Sequence, residues 1–219
     1  MRLPPADLAL VQIVDAHLAD AAHRAGPMLA CRMGCTPCCH GAFPINMLDA
    51  LRLRAGLAEL RSSDPLTAEA VERRARTWIR EHGKKFPGDL ETGLLAAEDE
   101  REAGFEDFSE DAACPALDPA TGRCDVYAWR PMTCRIFGPP VRSVGETGEE
   151  GLGHCELCFI GASPDQVAGC EMQVPHELEE KLLEEVTREI GAGETVVAFA
   201  LVHRSFDAAS DDSLNESHQ

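Results

Sequence analysis

Aromatic residues are scarce in this chain, at 5 % of 219 residues, with a single tyrosine and two tryptophans. Basic residues are also few: 20 Lys and Arg stand against 38 Asp and Glu, a formal charge of −18. Such a surface repels phosphate backbones, which argues against nucleic acid as the main partner. Long hydrophobic runs are missing too. The longest candidate, Thr195 to Val202, is far short of the roughly 18 apolar residues that a membrane span needs. The first 26 residues carry an apolar stripe, but Asp7, Asp15, His17 and Asp20 interrupt it, so it lacks the apolar core of a secretory signal. The expectation is therefore a soluble, cytoplasmic protein with no membrane and no nucleic-acid partner; a protein partner stays open. Several catalytic signatures are absent as well, among them G-x-G-x-x-G, the P-loop, H-E-x-x-H and G-x-S-x-G.

Against these shortages stand ten cysteines. A chain of this length can bury a real core, so disulfides are not needed to replace one. In a reducing compartment structural disulfides do not persist, and a cysteine-rich chain there points to metal binding or thiol chemistry.

The periodicity is helical. Leu10, Val14 and Leu18 recur at four-residue spacing, which predicts a helix over 6–25, ended by Gly26-Pro27. A second helix is expected from Asn46, with Asp49 three residues on as an approximate capping box, running to the Ser62-Ser63-Asp64-Pro65 turn signal. A third should follow Thr67, with Val71, Ala75, Trp78 and Ile79 on one face. Residues 89–103 read as an acidic helix, and the stretch GPPVRSVGETGEEGLG as a mobile loop. Between Cys114 and Cys134, frequent Pro and Gly predict irregular loops. Leu178, Leu182, Val186 and Ile190 mark a helix over 175–190. The run TVVAFALV reads as strand at its β-branched end and as helix at its alanine end. The expected fold is mainly α, a single metal-binding domain over 1–206 with helices packed around an irregular cysteine-rich, metal-organised centre. Residues 207–219 read as a disordered acidic tail.

The chemistry is concentrated in the thiols. Cys31, Cys35, Cys38 and Cys39 fall within nine residues, and Gly34 and Pro37 can turn the backbone so that several sulfurs face a common point. Thiolates so crowded repel one another unless a cation neutralises them, and zinc or an iron–sulfur cluster does this with four thiolates. Adjacent sulfurs such as Cys38 and Cys39 do not easily share one ion, so the pair is expected to behave asymmetrically. Cys114, Cys124 and Cys134 form a second group, and Cys155 and Cys158 supply a C-x2-C pair. All nine are candidate metal ligands. A site joining the N-terminal run to the later motif predicts that losing Cys35 or Cys134 has the same effect. Cys170 lies outside the motifs and reads as a buried structural thiol. His40 and His154 each adjoin a cysteine and read as ligands or as supporting groups. Arg130 and Arg135 flank Cys134 and either offset thiolate charge or form ordinary carboxylate pairs. Tyr127 reads as a packing residue.

The ordered set CRMGCTPCC, CPALDPATGRCDVY and WRPMTCRIF resembles bacterial cysteine-cluster proteins described as zinc- or iron-chelating, which have flagellin lysine N-methylase as a relative. The resemblance implies metal chelation through Cys31, Cys35, Cys38, Cys39, Cys114, Cys124 and Cys134. It implies, on the enzyme side, methyl transfer to protein lysine, although the chain has no glycine-rich strand–helix turn for S-adenosylmethionine. Cys31, Cys35 and Cys38 also share the C-x3-C-x2-C spacing of radical enzymes that use that cofactor, but Pro37 stands where those have an aromatic residue. The leading expectation is a metal-binding protein holding an iron–sulfur cluster of the 4Fe-4S type ahead of zinc, with a redox role. The alternative without catalysis is a zinc-stabilised interaction module.

Overall fold

The computed structural model describes residues 3–97, 105, 108–144 and 148–206. Among them are seven α-helices and eight short strands, so the fold is mainly α. The helices are α1 (Asp7–Ala25), α2 (Met47–Ser63), α3 (Pro65–His82), α4 (Met132–Ile136), α5 (Pro164–Ala168), α6 (His176–Ile190) and α7 (Val197–Val202).

α2 is the central element, because Leu48, Ala50, Leu53 and Leu57 are all fully buried and lie on more than one side of the helix. It packs against α3, α6 and α7. α7 is buried from Val197 to Leu201, which suits a six-residue segment with no charged side chain. α1 turns Leu10, Val14, Ala21 and Ala25 inward, the stripe that its sequence period predicts. α3 does the same with Ala68, Val71, Ala75 and Trp78, and Trp78 meets Phe108 edge-on. Helix starts follow local chemistry. Asn46 accepts from the Asp49 N–H at 2.9 Å and Asp64 from the Thr67 N–H at 3.1 Å, each satisfying an orphan donor of a first turn.

The strands come in antiparallel pairs: β1 (Ile45–Asn46) with β8 (Glu194–Thr195), β2 (Gly88–Asp89) with β3 (Leu94–Leu95), β4 (Leu117–Asp118) with β5 (Arg123–Cys124), and β6 (Val141–Val144) with β7 (Glu150–Gly153). β8 followed by α7 resolves the ambiguous TVVAFALV run: its first residue ends a strand and its alanines are helical.

Three expectations change. The predicted helix over 89–103 is replaced, as far as it is described, by the β2–β3 hairpin. Asp89 accepts from the Glu91 N–H at 2.8 Å and takes the Thr92 hydroxyl, the local bonding that draws such residues into turns; residues 98–103 lie outside the described residues. The expected mobile loop forms the β6–β7 hairpin, held to the protein by Arg142, which donates to Glu171 at 2.8 Å. The segment from Cys114 to Cys134 is more regular than loops, with Cys124 on β5 and Cys134 on α4. The tail over 207–219 lies outside the described residues. Among the described residues no helix is long and apolar enough to cross a membrane.

Candidate metal centre

The run from Cys31 to Cys39 is a bridge with two differently docked halves. Its second half joins the middle of the chain: the Cys114 N–H donates to the Cys39 carbonyl at 2.8 Å, the Gly41 N–H to the Ala112 carbonyl at 3.0 Å, and His40 bridges Ala113. Its first half joins the later C-x2-C turn. There the Phe159 N–H donates to the Met28 carbonyl at 2.7 Å, and the Ala30 N–H to Cys158 Sγ at 3.4 Å.

The thiols follow the backbone. Cys39 has Cys38, Cys114 and Cys134 as electrostatic neighbours, and Cys134 has Cys114, Cys124 and Cys38. These five form one group. Cys31 has Cys158, Cys155 and Cys35 as neighbours, and Cys155 has Cys158 and Cys35. These four form the other. The groups also belong to different packing clusters. Cys114 and Cys124 pack on the main core, whereas Cys155 and Cys158 belong to a small cluster with Ala25, Phe159 and Cys170. Among the described residues no three Cys, His, Asp or Glu side chains form a closed cage for a metal ion, so the thiols are gathered as neighbours.

Burial and mutual repulsion set their protonation. Burial pushes Cys114 up to about 12, with Cys124 adding to it, and pushes Cys134 upward with the help of Cys114 and Cys124. Burial, then Cys158, raises Cys31 to about 12. Cys134 as a whole residue reaches the surface, while its thiol is shielded among Cys114, Cys124 and Cys38. Within the adjacent pair the shifts oppose each other. A hydrogen bond from Cys39 favours the Cys38 thiolate and brings it down to about 6, while Cys39 itself is pushed up.

The helix α4 that carries Cys134 is held by a buried charge network. Asp49 on α2 accepts from the Met132 N–H at 2.9 Å and from the Arg52 guanidinium, which also reaches Asp7 on α1 at 2.5 Å. All three charged side chains are buried. Arg135, fully buried, donates to both oxygens of Asp15 at 2.8 and 2.9 Å and to the Ala128 carbonyl, and its Nε has no hydrogen-bond partner. Arg130 stacks on Tyr127 at 3.9 Å and donates to Asp15 at 3.4 Å. The carboxylate-pair reading of these arginines therefore holds, although Arg130 also favours the Cys124 thiolate. His40 Nδ1 meets the Thr36 carbonyl and His154 Nδ1 the Cys155 carbonyl, so both rings brace the cysteine turns.

Sequence reasoning gave Asp49 only a capping role and missed Arg52, Arg74 and Gly138. Arg74 ties α3 to the second motif through the Pro115 carbonyl at 2.8 Å and Asp125 at 2.5 Å. Asp49 and Arg52 had a signal, since both interrupt the apolar run MLDALRL at a spacing of three. Gly138 had none: its φ of +129° and the 2.7 Å that would separate a Cβ there from Cys31 Sγ are tertiary facts.

The fold and the gathered thiols define a helical multi-cysteine protein whose sulfurs come from segments distant in sequence. Residues 30–150 match the CxxCxxCC family, described as a putative zinc- or iron-chelating domain, and the chain belongs to that family. Zinc and iron are thus the two metals its family points to, and an all-thiol donor set suits both. No curated protein and no solved structure matches the chain.

Proposed function

We propose that the protein binds metal through thiolates, with Cys114, Cys124, Cys134 and one of the adjacent Cys38 and Cys39 holding an iron–sulfur cluster of the 4Fe-4S type, and that it has a redox role. The observation that carries this reading is the gathering of five thiols from four separate backbone elements. Burial keeps most of them protonated in the absence of metal, so binding must displace protons, as thiolate sites do. Arg130, which favours the Cys124 thiolate, supplies positive charge beside this group. Fixed positive charge lowers the cost of an anionic cluster and raises its potential. When bound, a cluster would supply one-electron chemistry; the chain's own residues would bind it and hold charge beside it.

Anaerobic purification followed by iron, sulfide and zinc analysis tests this. About four irons and four sulfides per cluster, with broad visible absorption, support it. A colourless protein holding zinc alone overturns the iron reading, and a protein with no metal overturns both.

A further inference from the structure

We propose that Cys31, Cys35, Cys155 and Cys158 form a second, independent site that takes one zinc ion and locks the β6–β7 side of the protein to the end of α1. Four features place these residues together. Their spacings, C-x3-C and C-x2-C, are those of paired zinc chelates, and four thiolates complete a zinc shell with none to spare. The segments that carry the two pairs are docked by the Phe159 N–H to the Met28 carbonyl at 2.7 Å, and the Cys155 N–H to the Gly138 carbonyl at 3.3 Å holds the second pair to the glycine that lies beside Cys31. The Ala30 N–H points to Cys158 Sγ at 3.4 Å, the supporting hydrogen bond that a bound thiolate takes from its surroundings. Gly138 leaves room beside Cys31 Sγ that a side chain would fill.

Cys155 and Cys158 stand in a small packing cluster with Ala25, Phe159 and Cys170, flanked by Met28, Leu29 and Ala30 just before Cys31 and apart from the main core on which Cys114 and Cys124 pack. Cys158 is buried and anchors the group, while Cys31 is exposed and Cys35 and Cys155 are half-buried. Binding one Zn2+ replaces four S–H bonds by four Zn–S bonds and releases four protons. The family match ends at residue 150, so the Cys155–Cys158 pair lies beyond the part of the chain on which the family assignment rests. The proposal does not depend on iron at the first group.

The test is metal stoichiometry of the full chain, purified anaerobically with zinc supplied. Cys155→Ser with Cys158→Ser should remove one zinc equivalent and leave the metal of the first group in place. Cys114→Ser with Cys134→Ser should do the reverse. Cys155→His keeps zinc if the site is real, because zinc accepts three cysteines and one histidine, and circular dichroism of each variant separates metal loss from unfolding. Loss of the same metal in both double variants would show a single shared site and overturn the proposal. Unchanged zinc in the folded Cys155/Cys158 double variant overturns it equally. Absence of iron with zinc retained at Cys155 and Cys158 would defeat only the iron–sulfur reading.

Discussion

Single thiols differ in what they are asked to do, and substitution separates them. Cys35→Ser and Cys134→Ser, expected to act alike if all thiols share one site, should now differ: each removes metal from its own group and leaves the other loaded, which elemental analysis of each variant reads directly. Cys170 is buried beside Cys158 but sits in no thiol group. Cys170→Ser should therefore keep all metal and lower stability by roughly 1–3 kcal/mol in denaturant titration, the cost of burying a hydroxyl. Gly138 is a case where backbone and site meet. Its positive φ and the Cys31 sulfur at 2.7 Å from a would-be Cβ both oppose a side chain. Gly138→Ala should cost about 1–3 kcal/mol and weaken zinc binding at Cys31, with a melting curve and a chelator competition as the checks.

At the scale of elements, the buried network decides whether α4 presents Cys134. Asp49 joins α2 to α4 through the Met132 N–H and balances Arg52 together with Asp7. Asp49→Ala leaves Arg52 paired with Asp7 but orphans the Met132 N–H, so it should destabilise the protein by about 1–3 kcal/mol in chemical denaturation. Metal at Cys134 should be lost before metal at Cys158, since only α4 depends on this contact. Gly56 on α2 has a similar part: a methyl there would overlap the Trp129 ring, which precedes α4. Alanine normally strengthens a helix by about 1 kcal/mol over glycine; here it should weaken the fold, and a drop in melting temperature for Gly56→Ala is the expected reading.

Across the whole molecule, protons and metal compete for the same sulfurs. Thiols such as Cys114 and Cys31, raised from 9.0 to about 12 by burial and by neighbouring thiols, are protonated at neutral pH in the metal-free protein. Metal affinity should then tighten about tenfold per pH unit for each proton displaced, measured by chelator competition between pH 6 and 8. The metal-free protein responds in the opposite sense. A group whose folded pKa is raised stabilises the fold fully below its unfolded value, so stability should hold to about pH 9 and fall as pH climbs towards 12, followed by circular dichroism.

The sequence alone determined the elements whose cause is local. The faces of α1, α3 and α6 follow from a 3.6-residue period and the start of α2 from Asn46, none needing a distant partner; α3 begins at Pro65 behind the Asp64 cap, earlier than the start after Thr67 that its apolar period suggests. The nine cysteines read as candidate metal ligands from sequence because crowded thiolates call for a cation wherever they fold. The 89–95 segment was misread because acidic composition favours helix weakly, whereas Asp89 and Thr92 bond their own backbone and close a turn. Only tertiary structure decided how the thiols are shared. Cys35 and Cys38 are three residues apart, yet they join different groups because the Cys39 carbonyl pairs with Cys114 while the Met28 carbonyl pairs with Phe159. Spacing along a chain limits which sulfurs can meet, but long-range backbone hydrogen bonds and the burial of Arg52 and Arg135 determine which ones do.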